Sequence, residues 1–121
     1  MFRIIIFAAA LLALASTTTT LLASWATLEC GSASWYSDSL TGRKTASGKR
    51  YDPDEFVAAH RTLPFGTRIL VMDASGGESV EVTVIDRGPH RKNRIIDLSR
   101  AAASKLGFVN QGIKRICIER L

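Results

Sequence analysis

Apolar and polar positions alternate most strictly between Ser79 and Asp86, with Val80, Val82 and Val84 on one side and Glu81, Thr83 and Ile85 on the other. A period of two in β-branched residues predicts a strand with one buried face. Thr67–Asp73 predicts a second strand, and Ala74–Glu78, with Gly76 and Gly77, predicts the hairpin turn between them. Counted by parity, Asp86 falls on the valine face. Gly88 and Pro89 then stop the strand and open a loop.

The same reading places a first strand over Gly31–Tyr36, with Trp35 and Tyr36 facing opposite sides, one toward the core and one toward a surface. Ser37–Lys49 is polar and predicts a long loop. Asp52-Pro53-Asp54-Glu55-Phe56 predicts the start of a short helix, with Asp52 as cap and Pro53 in the first turn. Val57–His60 is apolar up to the histidine, and Leu63–Gly66 predicts a turn. Ile95–Leu98 predicts a short strand. Ser99 then caps a helix that Ala101–Ala103 propagate through Leu106 and Gly107 ends. In the last strand, Ile113–Arg120, Ile116 and Ile118 share one face and Arg115, Cys117 and Glu119 the other. Several short strands with one or two short helices predict a small, mostly-β barrel.

A chain of 121 residues holds one small domain. Its first part reads differently from the rest. Arg3 precedes an apolar run from Ile4 to Ala15, short for a membrane span, and Ser24-Trp25-Ala26 offers small residues at a signal-peptidase site. Residues 1–26 are therefore expected to be a secretory signal and residues 27–121 the domain. A cut after Ala15 and a retained membrane anchor are the alternatives. After cleavage no stable membrane insertion is expected, and the protein is expected to act, as a monomer, in the periplasm or outside the cell.

All 11 acids and every base except Arg3 lie beyond residue 26, which leaves the domain mildly basic. For an exported protein this favours anionic wall polymers or glycans as partners. The bases are scattered without an aromatic ladder, so nucleic acid is not expected. Cys30 and Cys117 lie near the two ends of the domain. In an oxidising compartment they predict one disulfide, whose long loop is worth about 4–5 kcal/mol on the chain-entropy model. Lipidation of Cys30 is the competing reading, and Glu29, where a small residue belongs, argues against it. Two histidines and two cysteines fit no zinc spacing, and no phosphate-binding glycine loop or nucleophile elbow is present, so neither metal nor cofactor is expected.

The remaining candidate chemistry is a carboxylate with a histidine, Asp86 and His60. A carboxyl group at a strand end facing an apolar interior is disfavoured in its charged form and suited to donate a proton to a leaving oxygen. The plainer reading pairs Asp86 with an arginine and makes His60 a hydrogen-bonded core residue. Asp97, just before the helix cap, is expected to order that junction. Arg43, Arg61 and Arg87 are suited to hold carboxylate or acetamido oxygens, or to form structural ion pairs.

Five segments in order, G-S-A-S-W-Y from Gly31, G-R-K-T-A-S-G from Gly42, A-A-H-R-T-L-P-F-G-T from Ala58, V-I-D-R-G-P from Val84 and R-I-I-D-L-S-R-A-A-A from Arg94, resemble the rare lipoprotein A family, the septal ring lytic transglycosylases. The resemblance spans Gly31 to Leu121. It implies a six-stranded double-psi β-barrel related to barwin and expansin domains. It also implies an endolytic enzyme that cleaves the MurNAc–GlcNAc bond of peptidoglycan glycan strands and leaves 1,6-anhydro ends. Carried over by position, it makes Asp86 and His60 catalytic and brings Tyr36, Thr45, Ser47, Arg61 and Arg87 to the substrate, with Trp35 or Tyr36 beside sugar rings. One position departs from the family: Lys49 stands where the family has glutamate. A lysine does not replace a carboxylate as proton donor. A lytic mechanism tolerates that loss, because the sugar's own 6-hydroxyl attacks and no second carboxylate has to activate water; Asp52 lies three residues on. The alternative that Lys49 raises is a non-catalytic, expansin-like glycan-binding module.

Overall fold

The computed structural model describes residues 28–121, and the expected signal segment lies outside them. Six strands and one helix follow in order: β1 (Glu29–Trp35), β2 (Val57–His60), β3 (Arg68–Asp73), β4 (Ser79–Asp86), β5 (Arg94–Leu98), α1 (Arg100–Lys105) and β6 (Lys114–Arg120). The strands close into a barrel in the order β1-β5-β2-β4-β3-β6, with β6 returning to β1. Pairs β1/β5 and β2/β4 are parallel and the other four antiparallel. The closed six-stranded barrel expected from the resemblance is therefore present.

The alternating valines of β4 do what their spacing predicts: Val80, Val82 and Val84 are buried and meet Ile69, Val71, Ile96, Leu98, Ile116 and Ile118 inside the barrel. Helix α1 lays Ala102 and Ala103 on that core, and Phe108 fills the space beyond its end. The Ser99 hydroxyl accepts from the Ala102 N–H, so the helix starts at the expected cap. One expected element is absent. Residues 52–56 form a turn: the Asp52 carboxylate takes the Asp54 N–H at 2.9 Å and its carbonyl the Glu55 N–H at 3.2 Å. The cap is there, but the chain passes straight into β2 because Val57, Ala58 and Ala59 are drawn into the sheet. The Ser37–Lys49 loop also contains a short 3-10 turn, Asp38–Leu40.

Cys30 and Cys117 are direct partners across β1 and β6 and form a disulfide. Cys117 alternates with buried Ile116 and Ile118, so the bridge lies on the barrel's outer face, where its parity predicts. Gly31, next to it, touches β5 so closely that a Cβ would stand 2.8 Å from Ile95 Cγ2. Only glycine allows that approach.

The irregularity that matters most lies between β2 and β4. Val57 pairs with Thr83 and Ala58 with Val84, but Ala59 pairs with Asp86, so Ile85 is left without a partner. This bulge adds one residue and reverses the parity beyond it. Ile85 and Asp86 therefore both leave the valine face. Ile85 joins a second apolar cluster with Tyr36, Tyr51, Val57 and Ala59, outside the barrel interior.

Candidate active site

Register places four residues in one row across the outer face: Asp86 on β4, Ala59 on β2, Asp97 on β5 and Ser34 on β1. With strands about 4.8 Å apart, the two acidic residues stand roughly 10 Å from each other at the backbone. Both line one cavity of about 550 Å³, together with Arg43, Arg87, His90 and Arg94. A smaller cavity of about 170 Å³, lined by Arg43, Lys44, Thr45 and Tyr51, opens on the other side of Asp86.

Asp86 does not face the apolar interior that parity suggested, because the bulge turns it outward into a polar setting. The Tyr36 hydroxyl donates to its Oδ2 at 2.7 Å and the Ala46 N–H to its Oδ1 at 2.9 Å. Tyr36 is held in turn. Its ring lies 4.6 Å from that of Tyr51, centroid to centroid, and the Tyr51 hydroxyl accepts from the Arg100 N–H at the start of α1. Burial first, and the Asp86 carboxylate second, push the Tyr36 phenol far above its ordinary range, so it remains a donor. Burial also raises the Tyr51 phenol, against the lowering effect of the Arg100 N–H.

The Thr45–Lys49 segment is fastened to the end of β4. The Ser47 N–H donates to the Ile85 carbonyl at 3.1 Å, Thr45 Oγ1 donates to the Lys49 carbonyl at 2.5 Å, and the Ser47 and Thr45 hydroxyls lie 3.1 Å apart. Lys49 is spent on Glu55, 2.8 Å away. Asp97 does not order the helix junction; it receives the Ser34 hydroxyl and faces the cavity.

His60 is not brought to Asp86. Asp86 lies beside Ala59, and His60, one residue on, faces the opposite side of β2. It is buried, its Nδ1 accepts the N–H groups of Thr62 (3.2 Å) and Leu63 (3.1 Å), and its Nε2 faces Glu29 Oε2 at 3.4 Å. Two donors on Nδ1 leave the ring proton on Nε2. The turn it orders supplies the carbonyls of His60 and Leu63 to Arg87 Nη1, at 3.1 and 2.8 Å, and Arg87 stacks 4.1 Å over the Phe65 ring. Arg61 donates to the Pro89 carbonyl at 2.8 Å and to that of Arg91, fixing the loop after Asp86. The histidine at the cavity is His90. Sequence reasoning passed over it, although it directly follows the D-R-G-P segment. A Cβ on Gly88, whose φ is +128°, would stand 3.7 Å from Asp97 Oδ2 and 4.0 Å from His90 Nε2, at ordinary van der Waals contact, so both side chains lie beside that glycine. Tyr36 is buried and gives its hydroxyl rather than its face to the site, whereas half-buried Trp35 lines the cavity.

The family model described as lytic transglycolase matches residues 28–118. The chain is 53% identical over 93 residues to the endolytic peptidoglycan transglycosylase RlpA of Neisseria meningitidis serogroup A, covering 77% of this chain and 39% of that protein. It thus spans about two fifths of the length of that curated relative. Among solved structures, the Streptomyces papain inhibitor superposes with a TM-score of 0.64 at 25% identity, covering 78% of this chain and 94% of the other. The Clavibacter michiganensis expansin superposes with a TM-score of 0.62 at 25% identity, covering 78% of this chain and 50% of the other.

Proposed function

The chain belongs to the lytic transglycolase family, and from that premise we propose that its barrel cleaves the MurNAc–GlcNAc bond of peptidoglycan, in the envelope of the exporting cell. The observation that carries this reading is Asp86, held by Tyr36 and Ala46 at the wall of an open cavity. In its acid form Asp86 protonates the glycosidic oxygen as the C1–O bond breaks. The 6-hydroxyl of the same muramyl sugar attacks C1 and returns its proton to the Asp86 carboxylate. The products are a 1,6-anhydro end and a free 4-hydroxyl, and no water is consumed. Asp97, across the row, supplies negative charge toward the oxocarbenium-like centre. His60 and Arg61 act through the turn and loop they fasten, while Thr45 and Ser47 shape the segment that delivers the Ala46 N–H.

The test is incubation of the purified protein with peptide-free glycan strands, read by mass spectrometry. Anhydro-ended products are expected from the native protein, none from Asp86→Asn, and a reduced yield from Asp97→Asn. Absence of such products from the native protein would falsify the enzymatic reading. A second reading, a glycan-binding module without turnover, draws on Lys49 and on the expansin likeness. Retention on insoluble peptidoglycan without any anhydro product would favour it.

A further inference from the structure

Gly88 leaves an opening in the wall of the cavity beside Asp86. Apart from its own chain neighbours, only two atoms lie within 4 Å of the point where its Cβ would stand, Asp97 Oδ2 and His90 Nε2. They come from different elements, Asp97 from β5 and His90 from the loop after β4, and both line the cavity. Among the described residues neither facing atom has a partner. Asp97 takes the Ser34 hydroxyl on Oδ1, which leaves Oδ2 without a donor. His90 is exposed, and the histidine that enters an ion pair is His60. The neighbouring Asp86 and Arg87 are committed, the first to Tyr36 and Ala46 and the second to the carbonyls of His60 and Leu63. His90 is also fixed on both flanks. The guanidinium of Arg61 takes the carbonyls on either side of it, that of Pro89 at 2.8 Å and that of Arg91, and the Arg94 N–H closes a turn onto the Arg91 carbonyl at 3.2 Å. A loop side chain held in this way loses less freedom when it binds.

We propose that His90 and Asp97 together bind one sugar hydroxyl, with His90 as a specificity-determining residue. This rests on the reading of the substrate as a glycan. His90 lies between the V-I-D-R-G-P and R-I-I-D-L-S-R-A-A-A segments and belongs to neither. The space that glycine leaves open admits one small group. A carboxylate oxygen on one side of it only accepts, and an imidazole N–H on the other donates. A hydroxyl uses both, donating to Asp97 and accepting from His90. An anion meets the Asp97 carboxylate and is repelled, and an ammonium has no lone pair for the imidazole N–H. Small turns of the two side chains bring both within hydrogen-bond reach of the entering oxygen. Asp97 stays charged while it accepts, so the contact orients the sugar and leaves the carboxylate its electrostatic role.

The experiment measures calorimetric affinity for peptide-free glycan strands, in the native protein and in an Asp86→Asn background that keeps the strands whole. In either background His90→Phe, which keeps a ring and removes the donor, is expected to weaken binding about tenfold, the worth of one hydrogen bond. His90→Gln, whose amide donates again, is expected to recover most of that loss. Circular dichroism should be the same for all the variants. Equal affinity of His90→Phe and its parent overturns the site. So does a His90→Gln variant as weak as His90→Phe, because packing of the ring would then be at work. An effect that vanishes at about 1 M salt overturns it as well, since charge attraction is screened there and a hydrogen bond is not. Turnover is scored apart. Anhydro products with no effect of His90→Phe keep the enzymatic reading and remove the site; a His90 effect without products does the reverse. Failure of the native protein to bind strands at all removes both.

Discussion

The Tyr36 hydroxyl donates to Asp86 Oδ2 at 2.7 Å across fifty residues of sequence, joining the end of β1 to the end of β4. Tyr36→Phe keeps the ring against Tyr51 and removes only that donor. We expect a stability loss of about 1.5–3 kcal/mol, the usual worth of a hydrogen bond to a charged group. Anhydro-product formation should fall by roughly tenfold to a hundredfold as the carboxylate loses its orientation. Urea denaturation and initial rates measure the two effects. A variant with native rates would detach Tyr36 from the chemistry.

His60→Ala deprives the N–H groups of Thr62 and Leu63 of their shared acceptor. Each unsatisfied donor costs about 1–3 kcal/mol. The midpoint of urea denaturation should drop accordingly. At a temperature where the variant is folded, turnover should persist at a reduced rate, because the imidazole acts through the Arg87 anchor. A loss as complete as that of Asp86→Asn would show that the ring reaches the substrate.

Lys49→Glu exchanges the ion pair with Glu55 for a like-charge contact. Both side chains are about half-exposed, so the cost should stay below about 1 kcal/mol. Lys49 lines neither cavity at Asp86, and turnover should remain unchanged. A clear gain in product would mean that an acid at this position joins the reaction.

Asp73 gives the domain an acid-sensitive contact. Its carboxyl is pulled from 3.8 down to about 2, chiefly by Lys114 Nζ at 2.9 Å and then by the N–H and hydroxyl of Ser75. A lowered folded-state value means the contribution is whole above pH 3.8 and fades as pH falls toward 2. Melting temperatures of the native protein and Asp73→Asn should differ most near neutrality and converge between pH 4 and 2. A difference that is constant over that range would remove Asp73 from the acid response.

Replacing both cysteines by serine should lower stability by about 2–5 kcal/mol, the usual cost of losing a native disulfide from a small exported domain. The 87-residue separation of Cys30 and Cys117 puts the pair toward the upper part of that range. Denaturation in urea, with and without reductant, measures it: reductant should shift the native midpoint to that of the double variant and leave the variant unmoved.

Much of this architecture was legible in the chain. The valines of β4, the double-glycine turn, the Ser99 cap and the outward parity of Cys117 are local signals, and local signals survive folding. The face of Asp86 was not legible. Parity counting assumes an unbroken pleat, and nothing between Thr83 and Asp86 announces that Ile85 will bulge against β2. The helix expected at Asp52 failed for a related reason: its cap is real, but the pull of Val57–Ala59 into the sheet is a tertiary effect. Arg61 and Arg87 read from sequence as holders of glycan oxygens or as members of ion pairs, whereas both serve main-chain carbonyls that only the fold brings near. His60 and His90 are indistinguishable by residue type, and the register of β2 against β4 is what separates them.

Strand β1 is hydrogen-bonded on one side to β5 and on the other to β6. During synthesis, then, β1 waits for β5 before one edge is satisfied and for β6 before the other is. An incomplete chain is an open, sticky ribbon, and long-range pairings of this kind are slow to form. Closure of the barrel is thereby deferred until β6 has joined both β1 and β3, so the sheet keeps open edges until its last strand is in place.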